Sequence, residues 1–306
     1  MMGLPFNVGL GVFFDKIKKK FCRIKKCSYL CTIKFKQKTT NFKTINIMKK
    51  KVFLAAALMA MLGGAAMAQG TFTLKLGGGF PMGDFADAKA DYDDGTMRWG
   101  LMGKYTDGGA GLGFNLGLEY NVPVSSVNGL GVVISLDAFY NGLNEELNDY
   151  FSEFKEDLDD NTNSWSLSLP NYINIPVMVG AKYELPLTSG VGLYAAGAVG
   201  ANLRIITPFK LQYETDYISG TVERTTEIEA DAAVSFAFRL AAGVTFAEKY
   251  SVELGYYSLG AGKVKGEEKY SVEYSDSYYT DDSDKDKFSL KSITPTLFTV
   301  RLGISF

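Results

Sequence analysis

The last nine residues, Phe298-Thr299-Val300-Arg301-Leu302-Gly303-Ile304-Ser305-Phe306, decide the fold. Large apolar residues stand at every second position, and polar residues or glycine stand between them. Alternation with a period of two is typical of a β-strand that has one apolar and one polar face. The sequence therefore predicts a terminal strand whose two faces meet unlike environments.

Seven further segments repeat this alternation. Their large apolar residues stand at alternate positions within 72–80, 112–120, 132–140, 173–183, 193–203, 236–246 and 252–256. Strands of this kind suit a tilted crossing of a lipid bilayer. The sequence therefore predicts an all-β fold, an eight-stranded antiparallel up-and-down transmembrane β-barrel with long extracellular loops.

The lengths of the connections between these segments alternate as well. Long and short connections are predicted in turn at 81–109, 122–129, 142–168, 184–190, 205–231, 247–250 and 260–291. Outer-membrane barrels have long loops outside the cell and short turns on the periplasmic side. Ten strands would be possible if hairpins within 205–231 or 260–291 entered the membrane.

Aromatic residues recur at the two ends of the predicted strands, where amphipathic rings would mark the membrane interfaces. The predicted periplasmic girdle consists of Phe72, Tyr120, Tyr183, Phe246, Tyr250 and Phe306. The predicted outer girdle consists of Phe80, Tyr140, Tyr256 and Phe298. Ordinary core aromatics at strand ends are the alternative, and the recurrence at both ends favours the girdles.

The polar face of each predicted strand carries one charged residue among small neighbours. In strand order these are Lys75, Glu119, Asp137, Lys182, Arg204, Arg239, Glu253 and Arg301. A solvated surface carries charges more densely, whereas an eight-stranded barrel encloses only its own side chains or one small ligand. We therefore place these charges in the lumen.

Unpaired charges in such an interior would be costly, so we predict ion pairs. The predicted pairs are Lys75 with Glu119, Glu253 with Arg301 and, higher in the barrel, Asp137 with Arg239. Lys182 would lie near the Glu253–Arg301 pair. Arg204 would lie at the outer rim and face loop carboxylates. A polar plug is the favoured interpretation, and a charged constriction in a narrow pore is the alternative.

Several stretches resemble the small "porin family" outer-membrane β-barrel proteins of Gram-negative bacteria. They are Gly77-Gly78-Gly79-Phe80-Pro81-Met82-Gly83-Asp84-Phe85, Asn174-Ile175-Pro176-Val177, Gly180-Ala181-Lys182-Tyr183 and Gly192-Leu193-Tyr194-Ala195-Ala196-Gly197. The alternating C-terminal residues Phe298, Val300, Leu302, Ile304 and Phe306 likewise resemble the assembly signal of such barrels. The resemblance implies the fold and an outer-membrane location, and it implies no catalytic residues.

A secretory signal peptide is predicted at 48–68. Met48 is followed by three lysines, an apolar run from Val52 to Leu62, and an A-x-A site ending at Ala68, so cleavage would fall between Ala68 and Gln69. A retained anchor is the less favoured alternative, because the run is too short to span a membrane. Residues 1–47 precede this signal and are predicted to be spurious upstream translation or disordered. Residues 69–306 would form the barrel domain.

The predicted mature chain, 69–306, is acidic and lacks cysteine. It carries 18 Lys and Arg against 33 Asp and Glu, a formal charge of −15, which argues against nucleic-acid binding. The chain contains no histidine, which excludes a Ser-His-Asp triad and imidazole metal sites. All three cysteines lie at 22, 27 and 31 without a fourth ligand. We therefore expect no enzyme activity, no metal site and no cofactor.

The predicted loops hold most of the acidic residues, in clusters at 145–160 and 276–286. The second cluster lacks the glycine and the closing glutamate of an EF-hand loop. We therefore favour a role of the acidic residues in keeping the loops solvated over a role in binding divalent cations that bridge to lipopolysaccharide. Apolar residues recur at helical spacing around the first cluster, in the connection 142–168. They are Leu143, Leu147, Tyr150, Phe151, Phe154 and Leu158. This predicts a short helix on the barrel rim or in its mouth.

The function predicted from the sequence is a non-enzymatic outer-membrane barrel with a plugged polar lumen and acidic surface loops, in a structural or adhesive role. Its partners would be outer-membrane lipid, lipopolysaccharide and the barrel assembly machinery, and a closed barrel is expected to be a monomer. A narrow channel for small solutes or a hydrophobic ligand is the alternative. A histidine-independent lipid-modifying enzyme and a soluble ligand-binding barrel are more distant ones.

Overall fold

The computed structural model describes residues 70–91, 96–98, 107–217, 220–262, 265–275, 282–289 and 293–306. The predicted signal peptide, its cleavage site at Ala68 and Gln69, and the upstream segment 1–47 lie outside these residues. Among the described residues, no helix is long and apolar enough to cross a membrane.

Fifteen strands and one α-helix follow along the described chain, with a short 3-10 turn at Gly83–Phe85. They are β1 (Thr71–Pro81), β2 (Lys89–Asp91), β3 (Thr96–Arg98), β4 (Ala110–Pro123), β5 (Leu130–Leu143), α1 (Glu145–Asn161), β6 (Ser164–Ser168), β7 (Tyr172–Thr188), β8 (Val191–Ile206), β9 (Phe209–Tyr217), β10 (Gly220–Ala230), β11 (Ala233–Phe246), β12 (Tyr250–Ser258), β13 (Lys265–Tyr274), β14 (Asp282–Ser289) and β15 (Thr296–Ser305).

Eight of the strands close into an antiparallel barrel. Each pairs with its neighbours in the order β1, β4, β5, β7, β8, β11, β12, β15, and β15 pairs again with β1. The closing seam continues to the last residue, since the backbone groups of Phe72 and Phe306 exchange hydrogen bonds of 3.2 and 2.8 Å. Closure satisfies the edges that an open sheet would leave unpaired. The predicted eight-stranded barrel is confirmed.

The long connections are not simple loops. Strands β6, β9, β10, β13 and β14 form a separate five-stranded sheet in the order β14, β13, β10, β9, β6. The alternative of ten barrel strands is therefore wrong, because the hairpins within 205–231 and 260–291 pair with each other instead of entering the barrel. We call α1 and this five-stranded sheet the cap.

Helix α1 forms where the spacing of apolar residues predicted it. Its N-cap Asn144 accepts a hydrogen bond from the Leu147 backbone N–H at 3.0 Å, and Glu145 and Glu146 occupy the first turn, where the helix dipole favours negative charge. Leu147 and Phe151 are fully buried. The acidic residues lie on the opposite, exposed face of the helix.

The cap and the upper end of the barrel share one apolar core. From the barrel it includes Phe139, Tyr257, Leu259 and Leu297, and from the cap it includes Leu147, Phe151, Phe209 and Ile228. Phe139 and Tyr257 meet edge to face at 4.8 Å, and Phe151 lies 6.0 Å from Phe209 between ring centroids. The apolar side of α1 is thus buried against the barrel mouth and the sheet.

The barrel is apolar on its outside. The apolar residues of the predicted alternation point outward from the barrel strands, and several are strongly exposed, such as Leu302 (65%), Phe236 (63%) and Leu76 (59%). Monomeric soluble proteins rarely expose contiguous apolar patches beyond a few hundred Å², so this outer face is unusual for a protein surrounded by water. The apolar alternation in the sequence correctly predicted which face of each strand points outward.

The aromatic residues form two levels on this outer face. Phe72 and Tyr120 meet at 4.4 Å near the short turns, while Phe80 lies 6.5 Å from Phe298 near the cap. Eight residues separate Phe72 from Phe80, which corresponds to about 20 Å along the axis of a barrel with strands tilted by roughly 40°. An apolar band of this height lies between the two levels.

Candidate functional site

Six of the predicted lumen charges meet in one buried cluster, which we call the lumen network. Its members come from six different strands, and each is at most 2% exposed. They are Lys75 (β1), Glu119 (β4), Asp137 (β5), Arg239 (β11), Glu253 (β12) and Arg301 (β15). Each stands at an inward position of its strand, so the pleat alone aims all six at the barrel axis.

Glu253 is the centre of the lumen network. Its Oε2 accepts hydrogen bonds from Lys75 Nζ at 2.7 Å and from Arg239 Nη2 at 2.7 Å. Its Oε1 accepts from Arg301, which stands directly opposite in the β12–β15 register. The Tyr194 hydroxyl donates a further bond of 2.9 Å to Oε2. One carboxylate is therefore shared by three cations and a phenol.

The other two carboxylates complete the pairing of the same cations. Glu119 Oε2 lies 2.6 Å from Lys75 Nζ and 2.8 Å from Arg239 Nη1. Asp137 Oδ1 lies 2.5 Å from Arg301 Nη1, and the Tyr257 hydroxyl donates to Asp137 Oδ2 at 3.2 Å. The lumen network thus holds three cations and three carboxylates, and its formal charge is zero.

Charge neutrality matters because these groups are removed from water. Desolvating an ion costs several kcal/mol, and only close partners of opposite charge and further hydrogen bonds offset that cost. The ring of Tyr257 adds cation–π contacts, since the guanidinium carbons of Arg301 and Arg239 lie 5.4 and 5.8 Å from its centroid. The arrangement stabilises ions in fixed positions across the lumen.

Gly117 has no side chain and so leaves room for part of the lumen network. Gly117 stands directly opposite both Lys75 and Asp137 in the strand registers. A Cβ atom built on Gly117 would overlap the Asp137 carboxylate and come within 3.1 Å of Arg301 Nη1. The absence of a side chain here therefore allows the Asp137–Arg301 pair to form.

The structure brings together most, but not all, of the predicted lumen charges. The predicted Lys75–Glu119 and Glu253–Arg301 pairs are present. The predicted Asp137–Arg239 pair is wrong. Arg239 pairs with Glu253 on the neighbouring strand β12 and with Glu119 across the lumen, and Asp137 pairs with Arg301 instead, because Arg239 is already neutralised by these two glutamates.

Lys182 and Arg204 lie apart from the lumen network. Lys182 Nζ is 3.4 Å from Glu184 Oε2 and 4.3 Å from the ring centroid of Tyr194, so it lies on the short-turn side. Arg204 lies near the cap, where its Nη2 donates to the Gly260 carbonyl at 2.9 Å. Among the described residues, the predicted loop carboxylate next to Arg204 is absent.

Sequence reasoning missed the uncharged members of the site. Asn115 accepts from Arg301 Nη1 at 3.2 Å, and Tyr194 and Tyr257 hydrogen bond with the carboxylates. Their inward parity was visible, since each stands one position away from an outward apolar residue. Tyr257 follows Tyr256, however, and an aromatic pair does not reveal which ring faces inward.

The upper lumen is apolar, which corrects the expectation of a polar interior throughout. Phe139, Met178, Leu259 and Leu297 point inward above the lumen network and are at most 2% exposed. They continue into the apolar core beneath the cap. A solute moving along the barrel axis would meet first the ionic layer and then this apolar layer.

The short-turn end of the barrel is open by comparison. A cavity of about 510 Å³ is lined there by turn residues and strand ends, including Asn121, Pro123, Glu184, Thr245 and Glu248. It therefore faces the side opposite the cap.

The cap presents a charged sheet surface. On one sheet face, Lys269 Nζ contacts Glu229 at 2.5 Å and Glu227 at 3.2 Å, and these hydrogen bonds raise the pKa of the Lys269 ammonium, that to Glu229 most strongly. Tyr270 and Tyr274 lie in β13 of this sheet. No group of three or more acidic, His or Cys side chains within the described ranges could hold a metal ion.

Comparison with known proteins shows similarity in fold to three outer-membrane proteins. Ail, the attachment invasion locus protein of Yersinia pestis, is 13% identical with a TM-score of 0.32. The outer membrane protein OprG from Pseudomonas aeruginosa is 13% identical with a TM-score of 0.37, and Neisserial surface protein A is 9% identical with a TM-score of 0.31. Each match covers 78% of this chain and 96–99% of the other.

Neither a protein-family model nor a curated protein sequence matches the chain. The resemblance to the porin family therefore stays a prediction. At TM-scores below 0.5, the similar structures support no functional conclusion, and the barrel is established here by its own strand pairings.

Replacing Glu253 with Gln tests the central carboxylate. The change keeps the shape but leaves three buried cations with two carboxylates, so we expect the free energy of unfolding to fall by about 3–5 kcal/mol. Urea unfolding in detergent, followed by tryptophan fluorescence, measures the change. Glu184→Gln is the matched control, because its partially exposed pair with Lys182 should contribute less than about 1 kcal/mol. Equal effects of the two changes would contradict the central role of Glu253.

Adding one methyl group at Gly117 tests the packing of the lumen network. Gly117→Ala should displace Asp137 from Arg301 and lower the free energy of unfolding by about 1–3 kcal/mol. Gly197→Ala is the control within the same barrel, because a Cβ there meets only Leu240 Cδ2 at an ordinary 3.7 Å. The same urea titration compares them, and a tolerated Gly117→Ala would show that the pair can move aside at no cost.

Proposed function

We propose that the protein is a non-enzymatic outer-membrane barrel with a closed lumen, and that its cap acts at the cell surface in a structural or adhesive role. The observation that carries this proposal is the lumen network, in which six buried charges from six strands meet across the barrel axis. A second, apolar layer lies between this network and the cap.

The outward apolar band supports the membrane location. Its side chains would be exposed to water in a soluble barrel, while the charged residues occupy the interior. In a bilayer, the same arrangement buries the apolar band in lipid and satisfies every strand edge by closure. The two aromatic levels then lie at the two membrane interfaces.

The orientation follows from the connections. Outer-membrane barrels place short turns in the periplasm and long connections outside. The turns between β4 and β5, β7 and β8, and β11 and β12 are short, and the other connections build the cap. The cap therefore lies at the cell surface, with the cavity of about 510 Å³ facing the periplasm.

The surface role rests on the chemistry of the cap. The exposed face of α1 carries seven strongly exposed acids, namely Glu145, Glu146, Asp149, Glu153, Glu156, Asp159 and Asp160. One face of the sheet adds Glu223, Glu227 and Glu229 from β10. A dense acidic surface attracts basic partners and repels anionic ones, and the attraction weakens as salt screens it. We infer attachment to basic surfaces as the adhesive mode.

Planar-bilayer conductance tests the closed lumen. We expect protein purified from outer membranes, with its folded state shown by heat-modifiable gel mobility, to insert without unitary conductance steps. Steps that change when Lys75 or Arg301 is neutralised would instead favour the alternative, a narrow channel that uses the periplasmic cavity as its entrance.

Cell adherence tests the surface role. Cells that display the protein should adhere to a polylysine-coated surface more than cells displaying a variant with Glu145, Glu146, Asp149 and Glu153 changed to their amides. The difference should disappear in about 0.5 M salt, where the Debye length is a few Å. Equal adherence of the two cell types at low salt would contradict the adhesive role, whatever the conductance result.

A single charged substitution tests the membrane location. Leu116 lies midway along the outward face of β4, and an arginine at the bilayer midplane costs about 2–4 kcal/mol. Leu116→Arg should therefore lower the unfolding free energy in lipid vesicles by that amount. Val127→Arg, in the β4–β5 turn, should change it by less than about 0.5 kcal/mol. A neutral Leu116→Arg would mean that water, not lipid, surrounds this face.

A further inference from the structure

The two edges of the five-stranded cap sheet differ in charge. Strand β14 forms one edge and β6 forms the other, and within the described residues neither has a strand on its outer side. Each edge therefore leaves backbone N–H and C=O groups open, which makes it a template for a further strand. Charged side chains are one means by which proteins protect such edges, and these two edges differ in that protection.

Strand β14 is protected. Its residues at 282–287 are all exposed, and aspartates alternate along it with serine and lysines. The backbone N–H of Lys285 donates to Asp284 Oδ1 at 2.8 Å, so an added strand could use this donor only by displacing the carboxylate. The β14 edge thus disfavours the addition of another strand.

Strand β6 lacks charged residues. Its sequence is Ser164-Trp165-Ser166-Leu167-Ser168, and positions 161–171 carry no charge. The serines are exposed, whereas Trp165 and Leu167 are half-buried on the opposite face. Trp165 is held in position by a hydrogen bond of 2.6 Å from its Nε1 to Asp159 Oδ1. The β6 edge is therefore exposed, uncharged and ordered, which favours strand addition.

The sequence of β6 is complementary to itself. If two copies of β6 pair antiparallel with Ser166 opposite Ser166, then Trp165 of each copy faces Leu167 of the other and Ser164 faces Ser168. Aromatic and hydroxyl pairs across strands stabilise sheets. Two copies of β14 would instead place aspartates opposite aspartates, because antiparallel pairing keeps each face of the sheet continuous. Self-pairing is thus favoured at β6 and disfavoured at β14.

The direction of β6 determines how two paired copies are oriented. The chain leaves β6 toward the barrel and enters β7 after three residues. An antiparallel partner strand runs the opposite way, so its own barrel lies at the opposite end of the joined sheet. Two barrels in this arrangement cannot lie in one membrane, but they fit two membranes whose surfaces face each other.

We propose that β6 is a docking edge for a second copy of this chain, and that the caps of two copies in facing membranes pair antiparallel around Ser166. This inference rests on the membrane location and surface position of the cap proposed above, and it adds a second copy as a partner besides basic surfaces. Five residues make few hydrogen bonds, so attachment depends on many pairs between two surfaces. Both copies are acidic, so salt strengthens this contact by screening their repulsion, opposite to its effect on attachment to basic surfaces.

Vesicle aggregation tests the pairing. Vesicles of zwitterionic lipid that present the folded protein with its cap outward should aggregate, and more at about 0.5 M salt than at about 0.02 M. Ser166→Lys places two lysines opposite each other and should abolish aggregation. Ser283→Lys is the matched control and should aggregate like the wild type. Ser283 lies on the β14 edge, at the other end of the same cross-strand row, which runs through Gln212, Thr225 and Ser271. Dispersed wild-type vesicles, or aggregation of Ser166→Lys, would overturn the proposal.

Charge exchange tests the register. Vesicles with Ser166→Glu should also stay dispersed on their own, but a mixture of Ser166→Lys and Ser166→Glu vesicles should aggregate, because lysine then faces glutamate across the pair. A mixture that stays dispersed would rule out the antiparallel register around Ser166. The variant with four acids of α1 changed to amides should aggregate at least as readily as the wild type, whatever its adherence to polylysine. Dispersal of that variant would mean that α1, not β6, joins the vesicles.

Discussion

The sharing of one carboxylate, Glu253, among three cations is the interaction on which the barrel interior depends. Arg239 and Arg301 reach Glu253 from the two strands that flank β12, and Lys75 reaches it from β1, two strands away. Removing a partner would leave an uncompensated ion in a dry interior, which costs more than the pair itself stabilises. The network therefore acts as a check on assembly, because the ions are balanced only when all six contributing strands, β1, β4, β5, β11, β12 and β15, are in place.

The same network makes the strand register sensitive to error. Inward charges and outward apolar residues alternate along each strand, so a slip by one residue would exchange the two faces. On β15, such a slip would turn Arg301 outward and Leu302 inward. Both changes are unfavourable at once, since an ion would enter lipid and the network would lose its partner for Glu253 and Asp137. The closed seam between β1 and β15 is thus specified by both faces together.

Periodicity predicted the barrel because each strand face is a local property of the chain. The outward residues, the eight strands and helix α1 all follow from spacings within a single segment. Partner choice is not local, and for that reason the Asp137–Arg239 pair was wrong: Arg239 also reaches Glu119, and Arg301 also reaches Asp137, on strands that are not their neighbours. The sequence predicts loops where β9, β10, β13 and β14 form, because these segments lack the apolar alternation of a lipid-facing strand. Nor could the sequence show that no carboxylate of the described residues pairs with Arg204.

The position of the apolar core determines where a function can lie. This core joins Phe139 and Leu297 of the barrel to Phe151 and Phe209 of the cap, and the chain of β8 continues into β9 after only two residues. The cap therefore continues the barrel fold as a packed unit, with its acidic face held in place. A surface whose charges are already fixed loses little conformational entropy on binding, which favours contact with a partner over large areas. The same packing fills the upper end of the barrel with apolar side chains, so one structural feature supports both the proposed surface role of the cap and the proposed closed lumen.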